Sequence, residues 1–275
     1  MGRIAETFAR ARAEGRPALV AFLTAGYPSL GATPALVHAL ARGGADMVEL
    51  GIPFSDPLAD GVTIQRAGLA ALRQGVTAAD CLSVVGELRS QGLEIPLLLM
   101  GYYNPILAYG PEAFVAAAAA AGGDGLIVVD LPPEESEGLR DLCRARDLDL
   151  IYLLAPTSGR ERIDRVARLA SGFIYCVSVA GVTGARADLP PGLAAFVREV
   201  RDSTDLPLVV GFGISRREHI EAAAAMGLDG AVVGSAIINV IEHSDTHQQA
   251  DEVREYVEVL TGHRRANVRQ HDGMG

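Results

Sequence analysis

Short apolar runs alternate with longer amphipathic stretches along the whole chain. Residues 17–24, 46–50, 96–100, 125–129, 149–154, 172–179, 207–210 and 230–233 are near-continuous apolar segments, the pattern of strands buried on both faces. Stretches of helical period fall between them, over 33–42, 63–73, 78–91, 111–121, 134–146, 160–169 and 193–201. Another begins after Ser215, taken as its cap, and runs to about Met226; the last, over 248–260, carries Val253, Val257 and Leu260 on one stripe. Residues 3–14 predict a short amphipathic helix with Ile4, Phe8 and Ala11 on one face. Pro111 opens its helix where the missing N–H costs nothing.

Eight strands, each followed by a helix, imply parallel pairing. No linker or composition break divides them, and the length suits one closed (β/α)8 (TIM) barrel of about 250 residues. The expected fold is therefore α/β: a TIM barrel with a short N-terminal helix and an extra helix after strand 2. An open doubly wound sheet is the alternative, but no G-x-G-x-x-G follows the first strand. Residues 1–262 are read as a single domain, and the polar segment 263–275 as a mobile tail.

The second strand breaks the apolar rule, because Glu49 sits inside it. A lone buried carboxylate is costly unless it is paired, hydrogen-bonded or protonated. Glu49 is thus either strained for a reason or awaiting a partner; the bland alternative is a strand end that touches solvent. Asp60 lies eleven residues on, past a loop stiffened by Pro53 and Pro57. Two carboxylates held at one strand end can divide acid and base roles.

Charge and composition narrow the chemistry. The net charge of −10 argues against nucleic acid and against anionic membranes as partners. All 24 basic residues are Arg, so no lysine Schiff base and no covalently held pyridoxal phosphate can form on this chain. Cys81, Cys143 and Cys176 fit no zinc spacing and suit a reduced, cytoplasmic protein. Cys176 reads as strand packing. No apolar run is long enough for a membrane span, and residues 1–6 lack the apolar core of a signal peptide. His243 and His247 flank a loop, so no metal site is expected.

In a barrel the site lies at the carboxyl ends of the strands. That gathers Phe22, Glu49, Asp60, Met100, Tyr102, Asp130, Thr183, Phe212 and Ser235 at one mouth, with Tyr175 facing it by strand alternation. Glycine-rich exits at 181–184, 211–213 and 234–235 suit a phosphate cradle of backbone N–H groups; they also suit plain tight turns.

Several stretches together resemble one family, the tryptophan synthase α subunit. They are residues 21–28 (AFLTAGYP), 48–61 (VELGIPFSDPLADG), 100–105 (MGYYNP), 130–132 (DLP), 154–158 (LAPTS), 181–184 (GVTG), 211–214 (GFGI) and 234–236 (GSA). The resemblance covers roughly residues 3–262, in order; one departure is Val62, where the family usually has proline. It implies reverse-aldol cleavage of indole-3-glycerol phosphate to indole and glyceraldehyde 3-phosphate, in tryptophan biosynthesis. It assigns general acid/base work to Glu49, acceptance of the indole N–H to Asp60 and a supporting role to Tyr175. It places Phe22, Met100, Tyr102, Ile127, Val129, Leu153, Thr183 and Phe212 around the substrate. Gly184, Gly213, Gly234 and Ser235 would hold the phosphate. It further implies an αββα heterotetramer with a β subunit that carries the pyridoxal phosphate, contacted through Asp56, Pro57, Tyr103, Asn104 and Pro132. The 180–191 loop resembles the family's lid, which would position Thr183. Competing readings are a stand-alone indole-releasing lyase, a non-catalytic activator of the β subunit and, by fold analogy alone, a phosphosugar isomerase.

Overall fold

A computed structural model describes residues 2–177, 192–211 and 213–263. Eight parallel strands close into a barrel: β1 (Ala18–Thr24), β2 (Met47–Gly51), β3 (Leu97–Gly101), β4 (Gly125–Val128), β5 (Asp149–Leu154), β6 (Ile174–Val177), β7 (Leu208–Gly211) and β8 (Gly230–Val233). β8 closes on β1 with Ala18 opposite Gly230 and Val20 opposite Val232. The strand residues are almost all buried, because one face fills the lumen and the other packs on the helices. Ala18, Val20, Phe22, Met47, Leu98, Ile127, Ile151, Phe173, Tyr175, Val209 and Val232 form the inner cluster. Leu19, Ala21, Leu23 and Val48 belong to the larger outer one.

Helix α1 (Arg3–Ala13) plugs the floor of the barrel. Its Ile4, Phe8 and Ala11 join the inner cluster, and Phe8 meets Phe173 edge-on at 5.8 Å. Three aspartates brace that floor. Asp46 accepts the Leu19 N–H at 2.9 Å and a two-pronged Arg16 contact at 2.6 and 2.8 Å. Asp124 accepts from Leu97 N–H and Arg89, and Asp229 from Leu208 N–H and Arg201. Each carboxylate supplies an acceptor that the strand ladder lacks at its first rung, and an arginine neutralises it.

The remaining helices are α2 (Thr33–Gly43), α3 (Val62–Arg73), α4 (Ala78–Ser90), α5 (Tyr103–Tyr109), α6 (Pro111–Ala120), α7 (Glu137–Arg144), α8 (Arg160–Leu169), α9 (Leu193–Arg201), α10 (Arg217–Ala225), α11 (Ser235–His243) and α12 (Gln249–Thr261). The extra helix after β2 is present. Extra helices also follow β3 and β8, namely α5 and α11, where the sequence pattern suggested only exits. Pro105 falls in the first turn of α5, where its missing N–H has no intrahelical partner to lose. Ser215 does not cap α10. That helix starts at Arg217 with no side-chain cap, and the Ser215 N–H donates to His219 Nδ1 at 3.3 Å.

Candidate active site

Glu49 points into the lumen from β2. Its register partners are Phe22 on β1 and Leu98 on β3, so apolar side chains flank it. It is fully buried, and neither carboxylate oxygen has a hydrogen-bond partner among the described residues. The solvent-touching alternative is thereby excluded. Burial without compensation pushes the carboxyl up to about 8, so at neutral pH it holds its proton.

Asp60 ends the loop between β2 and α3, which folds back on itself. The Asp60 N–H donates to Pro57 O at 3.1 Å, and Gln65 Nε2 donates to Asp60 O at 2.9 Å. The Tyr102 hydroxyl, at the exit of β3, accepts the Ala59 N–H at 2.9 Å, and its ring lies 5.1 Å from that of Phe54. Burial raises Asp60 to about 6, and the Tyr102 hydroxyl partly counters it. At neutral pH the two carboxyl groups therefore differ: Glu49 is mostly neutral and Asp60 mostly charged. Tyr175, on β6 and almost fully buried, has its phenol raised by burial first and by the charges of Glu49 and Asp60 next. All three side chains thus share one electrostatic environment.

Glycines make room for these groups. A Cβ on Gly51 would stand 2.6 Å from Phe22 Cζ, one on Gly234 would stand 3.3 Å from Phe22 Cβ, and one on Gly211 would overlap the Tyr175 hydroxyl and ring. The strand ends are therefore trimmed where the aromatic rings lie. Above them opens a narrow cleft. Its walls include Phe22, Asp60, Met100, Tyr102 and Val129, together with Thr24, Ile52, Phe54, Ile64 and Gln65.

Glu49 and Tyr175 sit in the barrel lumen and are not on the cleft wall itself. Of the residues expected to touch substrate, Ile127, wholly buried, and Leu153, packed on the inner cluster, do not border it either. Thr183, Gly184 and Phe212, with the 180–191 loop, lie outside the described residues. Gly213 leaves β7 in the left-handed region at φ +78°. Gly234 and Ser235 form the start of α11, with no side-chain cap. α11 follows β8 directly, so its first N–H groups, which have no acceptor within the helix, lie at the carboxyl end of that strand, an arrangement suited to an anion. Thr24 and Gly51 were not anticipated. Alternation from Phe22 to Thr24 and from Glu49 to Gly51 is the signal that locates them. On the rim, Asp56, Leu58 and Asn104 are exposed, and Asp130 accepts the Tyr103 N–H at 2.7 Å. Cys176 is buried on the outer face, with its thiol pushed up to about 12 by burial, in keeping with packing.

A family model described as "Tryptophan synthase alpha chain" matches residues 8–267. The chain is 54% identical over 260 residues to the tryptophan synthase alpha chain of Chloroflexus aurantiacus, covering 94% of this chain and 97% of that one. It is 52% identical to that of Roseiflexus sp. over 262 residues, 95% of this chain and 100% of the other. Among solved structures, tryptophan synthase subunit alpha from Legionella pneumophila superposes with a TM-score of 0.87 at 37% identity, covering 95% and 98% of the two chains. A chain of Mycobacterium tuberculosis tryptophan synthase superposes with a TM-score of 0.87 at 37% identity, covering 95% and 97% of the two chains.

Proposed function

The chain belongs to the tryptophan synthase alpha chain family, and from that premise we propose that Glu49 and Asp60 divide the work of the family's reaction. That reaction is the aldol cleavage of indole-3-glycerol phosphate to indole and glyceraldehyde 3-phosphate, and the chain is a lyase. The observation that carries the assignment is the placement of the two carboxyl groups. Glu49 is fully buried with neither oxygen partnered among the described residues. It stands opposite Phe22 in the strand register, and Phe22 and Asp60 line one cleft. Burial therefore pushes both carboxyl groups up, Glu49 the further.

Protonated Glu49 donates its proton to indole C3, which becomes tetrahedral and leaves a positive charge at N1. Ionised Asp60 accepts the N1–H hydrogen bond and stabilises that charge. The carboxylate left on Glu49 takes the proton of the hydroxyl beside the scissile bond. The C–C bond then breaks, its electron pair restores the aromatic indole, and the other product leaves as an aldehyde. Glu49 ends as it began, protonated. The ring is the electron sink, so no lysine is required. Tyr175 fills the lumen beside both carboxyl groups and keeps water from Glu49. Phe22, Met100, Tyr102 and Val129 wall the indole, and Gly213, Gly234 and Ser235 take the phosphate, with Thr183, Gly184 and Phe212 completing the site by resemblance.

The family's chains work with a β subunit. We assign the contact to the rim formed by Asp56, Pro57, Tyr103, Asn104 and Pro132, in an αββα heterotetramer with pyridoxal phosphate on the β subunit only. The exposed Leu58 (95%) and Leu107 (50%) support a partner-facing rim. Residues 1–262 are read as one barrel domain. No helix among the described residues is long and apolar enough to cross a membrane, and the free thiols at 81, 143 and 176 accord with a reducing cytoplasm.

The direct test supplies indole-3-glycerol phosphate to the chain alone and to the chain with its β subunit, and follows indole. Release in both, faster with the partner, supports the proposal. Release in neither would leave a non-catalytic activator, and equal rates a stand-alone lyase.

A further inference from the structure

We infer that Thr24 is a further substrate-contacting residue, its hydroxyl held to bond a hydroxyl group of the glycerol chain; the inference rests on the reading of the cleft given above. Thr24 is the last residue of β1 and is 2% exposed. It stands opposite Gly51 in the β1–β2 register and forms part of the cleft wall. Its Oγ1 has no hydrogen-bond partner among the described residues. Thr33, also buried, shows the contrast, since its hydroxyl accepts the Gly26 N–H at 3.0 Å and donates to Ser29 O at 3.3 Å. Valine would fill the place of Thr24 in a buried strand with no polar atom to satisfy.

Strand order gives the ligand chemistry. In the closed barrel β1 lies between β2, which carries Glu49, and β8, which runs into the N-terminus of α11. A substrate with its ring at the carboxyl groups and its phosphate at α11 must lay its connecting chain across the end of β1. That chain bears two hydroxyls, each able to donate and accept, which matches a threonine hydroxyl with no partner among the described residues.

The test uses the full-length chain carrying Glu49→Gln to stop turnover. The protein has no tryptophan, so fluorescence reports the bound indole ring directly. Two ligands are titrated: indole-3-glycerol phosphate, and the analogue in which both chain hydroxyls are replaced by hydrogen. Adding Thr24→Val should weaken the first about tenfold, the equivalent of one hydrogen bond of about 1.4 kcal/mol, and leave the analogue unchanged. Thr24→Ser should restore affinity for the first. Equal losses on both ligands, or no loss on either, would overturn the inference. Should the Glu49→Gln chain still release indole, the acid/base reading of Glu49 fails separately, and the same Thr24 comparison is read from kcat/KM.

Discussion

Gly211 and Tyr175 meet across β6 and β7 so closely that a Cβ on the glycine would overlap the tyrosine's ring and hydroxyl. Tyr175 pairs in register with Val209, two residues before Gly211, so the glycine stands one pleat above it on the lumen side. Overpacking of this kind forces side chains off their rotamers and costs about 1–3 kcal/mol. Gly211→Ala is expected to lower the unfolding midpoint and to cut indole release at least tenfold, because the displaced ring opens the lumen around Glu49. Thermal unfolding and a cleavage assay on the same preparation check this; full activity would show that the ring has space to spare.

The buried carboxyl of Glu49 sets a pH dependence of stability. Its folded value of about 8 lies above its ordinary 4.5, so between these values the folded chain holds a proton that the unfolded chain has released. The stability it contributes is fully present below about pH 4.5 and is lost as pH rises through about 8, at up to about 1.4 kcal/mol per pH unit. Asp60, raised to about 6 from 3.8, adds the same trend over a lower window. Glu49→Gln should therefore be more stable than the parent at pH 8, with the difference shrinking toward pH 5. Unfolding at the two pH values decides; a variant less stable at both would contradict the burial argument.

Tyr102 links the loop to the chemistry. Its hydroxyl accepts the Ala59 N–H and holds down the rise of Asp60. Tyr102→Phe removes both effects, so the Asp60 carboxyl climbs above about 6 and the acid limb of the pH–rate profile moves to higher pH. The orphaned N–H costs about 1 kcal/mol. A profile that falls in height without moving along the pH axis would assign Tyr102 to packing alone.

Asp56 tests the rim. It is exposed and lies four residues before Asp60 in the same loop, accepting from the Ser55 hydroxyl at 2.6 Å. Asp56→Ala should leave cleavage by the isolated chain within about twofold, since surface substitutions change stability little, while reducing the stimulation given by the β subunit. Stimulation that survives intact would remove this loop from the interface.

The fold was readable because two-sided burial writes strands as apolar runs, and β5, β8, α8 and α9 fall where the pattern placed them. Helices α5 and α11 were not readable. Pro105 sits inside the first, and Gly234-Ser235 at the head of the second carries a turn signal that masks the helix behind it. Glu49 and Asp60 stand out because polarity in an apolar run is visible locally. What Glu49 lacks is not visible: the absence of a hydrogen-bond partner among the described residues depends on which strands lie beside β2. For the same reason Thr24 and Gly51 look like ordinary strand ends until β1 and β2 pair and set them opposite each other, and the contact of Gly211 with Tyr175 waits on the pairing of β6 with β7.

The central claim is that the Glu49 carboxyl carries the proton to and from the substrate. Single-turnover cleavage of indole-3-glycerol phosphate by Glu49→Gln, in the presence of the β subunit, tests it most directly, because the amide keeps the shape of the side chain and cannot shuttle the proton. The expected result is bound substrate with indole release reduced at least a thousandfold, the scale of a lost general acid and base acting in turn. Release within about tenfold of the parent would contradict the account.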